Sequence, residues 1–334
     1  MQLSYSFIIP VYNRPQEIEE LLNSFLQLHT NGLEYEIIIV EDGSSLPAKK
    51  IVEKYQNKLP LSYYYKANSG PGDSRNFGMK NAKGNYFIVL DSDVLLPENY
   101  LKNVHHHLTL HYVDCFGGAD AAHHSFTSVQ KAINFAMTSF LTTGGIRGNK
   151  KSVEDFKPRS FNMGISKKAF LKTKGYSSLK VGEDLDLSIR IENQGFKINF
   201  IPNAFVYHKR RSTWADFYRQ ISKFGMGRPI LSYYYPHTNS FFFWFPSLFL
   251  IGFIFAILFS FAQIYIFMKL YILYFLLIFV FSSFQNKSIK VGIKSIFATA
   301  IQFLGYGTGY LKSYYRIILK RENPKTAFPD LFFE

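Results

Sequence analysis

Tyr86-Phe87-Ile88-Val89-Leu90-Asp91-Ser92-Asp93-Val94-Leu95-Leu96-Pro97 is the stretch whose reading decides the fold. Five consecutive strand-forming residues read as a strand buried on both faces. Asp91 and Asp93 follow at its carboxyl end, where the chain leaves the regular pleat and the two carboxylates can converge. Ligands of open α/β sheets bind beyond the carboxyl ends of the strands. Two carboxylates there suit a hard divalent cation, Mg²⁺ or Mn²⁺, which in turn clamps a diphosphate. Taken alone, such a pair is more often an Asp-rich turn, so the surrounding sequence has to decide.

Upstream, short apolar runs alternate with amphipathic stretches. Strands are predicted over residues 6–11, 35–40, 62–65 and 86–90. Pro15 opens a helix with Ile18, Leu21, Leu22, Phe25 and Leu26 on one face, the spacing of a half-buried helix. Pro71 opens another over 72–82. This alternation predicts an α/β fold, a Rossmann-like, mostly parallel sheet with helices on both faces.

The chain has 334 residues and a formal charge of +14, from 38 Lys+Arg against 24 Asp+Glu. The basic residues gather beside apolar segments and form no single solvent-facing stripe. That pattern fits anionic phospholipid and phosphorylated ligands and argues against nucleic acid, and no aromatic-and-basic strand motif for RNA occurs. Cys115 is the only cysteine, which excludes an internal disulfide and predicts a catalytic face in the cytosol. The first residues carry no signal-peptide pattern.

Near residue 237 the composition changes. Residues 241–261 hold no charge and match about 30 Å of hydrocarbon as a helix. Residues 270–284 are also uncharged and become a second span if 264–268 join them, with Lys269 at the turn of a helical hairpin or snorkelling to a headgroup. A third apolar segment, 295–311, contains Gln302, Gly305, Gly307 and Gly309. Predicted spans are therefore 241–262 and 264–284, with 295–311 spanning or re-entrant. Arg219, Lys223 and Arg228 precede the first span; Lys287, Lys290 and Lys294 follow the second. Both flanks favour the cytoplasm. Arg316, Lys320, Arg321 and Lys325 favour it too, which leans the third segment towards a re-entrant or interfacial form. Trp214 to Arg228 reads as an interfacial amphipathic helix. The expected division is a cytoplasmic catalytic domain over 1–212, an interfacial segment over 213–236 and a membrane domain over 237–334, in a multi-pass protein of the inner (cytoplasmic) membrane.

Five landmarks follow one another: Pro10-Val11-Tyr12-Asn13-Arg14; Glu41-Asp42-Gly43-Ser44-Ser45; the Gly-rich run Asn68 to Gly78; Asp91-Ser92-Asp93; and Gly182-Glu183-Asp184-Leu185-Asp186-Leu187, with Phe205-Val206-Tyr207-His208 after it. Asp42 can accept a hydrogen bond from a base or a ribose. The Gly-rich run opens a helix whose N-terminus favours anions, with Arg75 one turn inside. Glu183 and Asp184 open an amphipathic helix that can present a carboxylate to a cleft. His208 follows an apolar strand and can add a metal ligand or a phosphate contact. Each landmark alone is common in turns; their joint order at strand ends is not. Phe161-Asn162-Met163-Gly164, before a helix starting near Ser166, reads as a strand-to-helix turn that can line the cleft. His105, His106, His107 and His111 lack a carboxylate or cysteine at matching spacing and are read as a solvated helix face. Residues 132–142 form an amphipathic helix near the cleft mouth.

With these motifs the chain resembles glycosyltransferase family 2, the inverting family of the type A nucleotide-sugar fold, over roughly residues 4–212. The resemblance implies a nucleotide-sugar donor, a UDP-sugar first, bound by Pro10, Tyr12, Arg14, Asp42, Arg75 and Asp91. It implies Mg²⁺ or Mn²⁺ held by Asp93 and Asp91, with His208 at a position that touches metal or phosphate. Asp184 matches the family's catalytic base, and Glu183, Asp186, Met163 and Gly164 fall at the acceptor site. Glu41 stands where Asp is commoner. Gln220-Ile221-Ser222-Lys223-Phe224 is a degenerate echo of the Q-x-x-R-W motif of processive synthases. The expected function is transfer of one sugar to a hydroxyl acceptor, a lipid-linked or other glycan of the cell envelope, beside membrane lipids. Two other readings stay open: a polyprenyl-phosphate sugar transferase, and a non-catalytic anchor or assembly subunit.

Overall fold

The computed structural model describes residues 2–144 and 156–333. Along the chain come β1 (Tyr5–Val11), α1 (Pro15–Leu26), β2 (Tyr35–Asp42), α2 (Lys49–Glu53), β3 (Leu61–Lys66), α3 (Pro71–Asn81), β4 (Tyr86–Leu90), β5 (Val94–Leu95), α4 (Tyr100–Leu110), β6 (Cys115–Gly117) and β7 (Asp120–Ala121). They are followed by α5 (Ser128–Thr138), α6 (Phe140–Thr143), β8 (Asn162–Ser166), α7 (Lys167–Thr173), α8 (Glu183–Asn193), β9 (Ile198–Phe200) and β10 (Val206–His208). The remaining helices are α9 (Trp214–Tyr234), α10 (Phe245–Phe261), α11 (Ile266–Asn286), α12 (Ile289–Tyr314) and α13 (Pro324–Ala327). Two compact units result: residues 2–123 and 156–209 with Phe333 form the first, and 124–144 with 210–332 the second.

In the first unit seven strands make one sheet in the order β3-β2-β1-β4-β8-β6-β9. β3, β2, β1 and β4 are parallel, and β8 runs antiparallel to β4 and β6. The expected α/β fold and mostly parallel sheet are present. Alternation along β1 loads both faces. Phe7 and Ile9 join a core with Ile18, Leu21 and Phe25 of α1 and Leu101, Val104 and Leu108 of α4. Ile8 joins a second core with Met79 of α3, Phe170 of α7 and Leu187 and Ile191 of α8. Each such side chain contributes roughly 1.5–3 kcal/mol by leaving water. Three short strands, β5-β10-β7, form a second sheet in which His208 lies opposite Val94 and Val206 opposite Asp120.

Of the four histidines, His106 and His111 are exposed as expected, whereas His105 departs from the solvated face. The Nδ1 of His105 lies 2.9 Å from the hydroxyl of Tyr5, whose ring is buried in the first core. A buried phenol needs a hydrogen-bond partner, and this ring supplies it.

The second unit is helical. α12, 26 residues and about 39 Å long, packs on α5, α9, α10 and α11. Residues 295–311 thus lie within one unbroken helix, without the reversal a re-entrant segment would need. Small residues explain the packing: a Cβ on Gly309 would fall 2.3 Å from the Ser222 carbonyl oxygen, and one on Gly225 2.2 Å from that of Tyr306. Backbones that close leave no room for side chains, the usual device of apolar helix pairs. Phe217 and Ile221 of α9 are buried with Ala132, Ile133 and Met137 of α5 and Val291 and Ala298 of α12. The apolar face expected at a membrane interface is therefore packed on protein, and residues 132–138, expected near the cleft mouth, belong to this helical unit. Phe241–Phe261 and Ile266–Asn286 are each 21 residues, long and apolar enough to cross a membrane. Most of their large side chains are exposed, Phe261 and Phe284 above 80%.

Candidate active site

The first two strand-end turns are knotted together. Asn13, at φ 54°, donates its backbone N–H to the Ser44 hydroxyl at 2.8 Å, and its side-chain oxygen accepts from Ser45 and the Leu46 N–H. Glu41, fully buried, accepts from the Ser44 hydroxyl, the Ala48 N–H and the Tyr63 hydroxyl. Its longer side chain is thus committed to shaping the turn. Asp42 is also buried. Its carboxylate accepts from Lys66 Nζ at 2.8 Å, from the Ser69 N–H at 3.0 Å and from the Gly70 N–H at 2.8 Å. These bonds hold the Gly-rich loop against β2. Gly70 has φ 94°, and a Cβ there would sit 2.1 Å from the Phe333 ring, so the loop tolerates no side chain at that point.

Arg75, one turn into α3, is 3% exposed and joins two acids. Its Nη2 donates to Asp91 Oδ1 at 2.7 Å and its Nη1 to Glu183 Oε1 at 3.2 Å. The guanidinium also lies 5.1 Å from the centre of the Tyr176 ring. Burial disfavours this cation, but the carboxylate of Asp91, the Tyr176 hydroxyl and Glu183 outweigh burial and raise its pKa above the ordinary value. Glu183 responds in the acid sense: burial, then the neighbouring charge of Asp184, push its pKa up to about 7, against the pull of Arg75.

Asp93 is gripped from two sides. Arg14 Nη1 donates to its Oδ2 at 2.5 Å, and His208 Nε2 lies 3.3 Å from its Oδ1. The approach of His208 is set by the small sheet: β10 pairs with β5, and the Lys209 N–H donates to the Asp93 carbonyl at 3.0 Å. One ligand atom each from Asp91, Asp93 and His208 lie within 4.8 Å of one another. Two carboxylates and an imidazole are a donor set for a divalent cation, the nitrogen suiting Mn²⁺ better than Mg²⁺.

Asp184 stands beside Glu183 at the start of α8. Its Oδ1 accepts from the Leu185 N–H at 2.8 Å and lies 3.9 Å from Arg159 Nη1. Arg159 carried no sequence signal, because its role follows from the turn before β8. Four residues named from sequence stand elsewhere. Asp186 is buried and paired with Arg190 at 2.7 Å, and Arg190 also donates to the carbonyls of Thr173 and Gly175. The acid therefore ties α8 to the end of α7. Met163 is fully buried and accepts from the Tyr176 hydroxyl. Gly164 lies under the Phe116 ring, and Pro10 is buried within β1. All three are thus buried within the sheet. Tyr12, by contrast, is 53% exposed.

Residues 6–170 match the sequence model described as Glycosyl transferase family 2. This part of the chain belongs to glycosyltransferase family 2. Within it lie both of the knotted turns, the Gly-rich loop and the two aspartates. Poly(ribitol-phosphate) β-N-acetylglucosaminyltransferase TarS of Staphylococcus aureus is 36% identical over 114 residues, 34% of this chain and 20% of TarS. The uncharacterized glycosyltransferase MG060 of Mycoplasma genitalium is 41% identical over 96 residues, 27% of this chain and 32% of that protein. The matched part thus spans a fifth to a third of these relatives. Among solved structures, mannosyltransferase PcManGT of Pyrobaculum calidifontis, in complex with GDP-Man and Mn²⁺, has a TM-score of 0.51 at 14% identity, over 69% of this chain and 65% of that one. The family 2 domain and PcManGT share a fold.

Proposed function

We propose that the protein is an inverting glycosyltransferase that moves one sugar from a nucleoside-diphosphate sugar, a UDP-sugar first, to a hydroxyl of a lipid-linked or other glycan. The reaction is assigned to the cytoplasmic face of the inner membrane. The observation that carries this reading is the chain Asp91–Arg75–Glu183, in which the buried Arg75 reaches the two acids with links of 2.7 and 3.2 Å. One cation joins the D-x-D turn to the first residue of α8, so the donor-side and acceptor-side acids belong to one locus. TarS and MG060 are both glycosyltransferases by name, which supports sugar transfer.

Asp91, Asp93 and His208 would hold Mg²⁺ or Mn²⁺, and the bound ion supplies positive charge against a diphosphate. Arg75 and Arg14, each fixed by a carboxylate, add cations that need no reorganisation as the leaving group gains charge. Asp184 accepts the proton of the acceptor hydroxyl while that oxygen attacks the anomeric carbon and the nucleoside diphosphate departs from the opposite face. A single displacement inverts the anomeric configuration. Proton removal of this kind contributes roughly 10²–10⁴-fold.

The membrane part of the reading rests on the exposed apolar surface of α10 and α11 and on Lys287, Lys290 and Lys294 just beyond them. Water would pay heavily for that surface; lipid does not.

The test is a melting panel of the full chain in detergent with nucleotide-sugars and Mg²⁺ or Mn²⁺, since selective binding raises Tm by mass action. Asp184→Asn should then lose about 10²–10⁴ in kcat while keeping donor binding. Turnover near the parent rate removes Asp184 as the base; no donor stabilising the chain with metal present sinks the proposal.

A further inference from the structure

Asp120 begins β7, a strand of two residues between the glycines that end β6 and the described stretch before α5. β10 pairs with β7 on one side, Val206 opposite Asp120, and with β5 on the other, His208 opposite Val94. Strands this short add little stability of their own. Their effect is to bring three side chains from distant parts of the sequence together: Asp93, just before β5; His208, ending β10; and Asp120.

The imidazole of His208 has close neighbours on three sides. Its Nε2 lies 3.3 Å from Asp93 Oδ1, its Nδ1 lies 3.8 Å from Asp120 Oδ2, and the Phe161 ring stacks on its face at 4.5 Å and 26°. The Asp120 side chain is 1% exposed. A carboxylate withdrawn so far from water is retained only against strong compensation. A histidine ligand almost always has a hydrogen-bond acceptor behind its second nitrogen, which fixes the ring and its tautomer and raises its basicity.

We propose that Asp120 is a positioning residue of the metal site: it orients His208 from behind, with the proton on Nδ1, so that the Nε2 lone pair faces a divalent cation held by Asp91 and Asp93. The inference rests on the reading that His208 shares that cation. It adds a residue that acts through the ligand and touches no substrate. Phe161 fixes the plane of the ring, and Asp120 sets which nitrogen carries the proton.

The test is Mn²⁺ binding to the full chain in detergent, followed by loss of the free-ion EPR signal, with pulsed EPR reporting a directly bound imidazole nitrogen. The unmodified chain should show the nitrogen coupling, and His208→Ala should lose it. Asp120→Ala should bind Mn²⁺ about 10–100-fold more weakly. Asp120→Asn, which keeps the shape and one acceptor oxygen, should fall between Asp120→Ala and the parent and covers the case in which the alanine variant does not fold. Parent-like Mn²⁺ affinity in both Asp120 variants, with His208→Ala weakened, overturns the role of Asp120 and leaves the metal site standing. A parent chain without nitrogen coupling, or an unaffected His208→Ala, overturns the metal-site reading and this inference with it.

Discussion

Glu183 illustrates what a single residue gains from its surroundings. Its carboxyl is raised to about 7 by burial and by Asp184, against Arg75. In the unfolded chain a glutamate titrates near 4.3, to within about a unit. The folded state therefore binds this proton more tightly, and its contribution to stability is full below the unfolded pKa and is lost as pH rises through about 7. Glu183→Gln should remove that slope. Its melting temperature should match the parent near pH 4 and below and exceed it by a few degrees at pH 8, a gain on the order of 1–3 kcal/mol, read by melting scans across pH. Asp93→Ala makes a different prediction: metal-dependent binding of UDP, followed by titration calorimetry, should disappear, because Arg14 and His208 lose the acid that holds them. At this scale sequence order found the acids but not their partners. Asp42 was legible as a turn acid, yet its engagement with Lys66 and two backbone N–H groups depends on how the 66–70 loop folds back. Asp186, two residues past the candidate base, was expected at the acceptor site. The helix turns it away by 200°, into a pair with Arg190.

Among the elements, β1, β4 and α3 were readable because each carries a local period and a stop signal. β4 runs from Tyr86 to Leu90 as expected, and α3 begins at Pro71. β10 was legible as a short apolar strand before His208, but β5 and β7, two residues each, carry no such pattern and are strands only through their pairing with it. α9 shows the converse. Its amphipathic pattern was plain, but a pattern names a buried face without naming what buries it. Here α5 and α12 do so. The contact depends on glycine, so Gly309→Val should press on the Ser222 carbonyl and destabilise the chain by about 1–3 kcal/mol. A lowered melting temperature in detergent, with donor binding retained below the transition, is the expected result; an unchanged midpoint would mean that α9 and α12 do not pack this closely.

For the whole molecule, charge and apolar surface lead to one expectation. Two 21-residue apolar helices with mostly exposed side chains, flanked by lysines, should keep the protein in the membrane fraction through a carbonate wash. Release by salt or carbonate would show instead that the surface is covered by another protein or by electrostatic adsorption. The proposed orientation puts both flanks of the hairpin in the cytoplasm, so a reporter fused within residues 287–290 should signal from that side.

Periodicity and composition by themselves determined the parallel sheet, the helices on its two faces and the change to apolar helices near residue 237. These follow from local rules, two residues per strand repeat and 3.6 per helix turn, that hold wherever the segment ends up. Motif order further determined that Asp91, Asp93, Arg75 and the Glu183-Asp184 pair stand at element ends. Tertiary structure alone decided that Arg75 joins Asp91 to Glu183, that Asp120 stands behind His208, and that Met163 and Gly164 are sealed inside the sheet. Those relations are distances between segments far apart in the chain, and no local pattern encodes a distance of that kind; it is fixed only when the sheets close and the acids compete for the few cations buried with them.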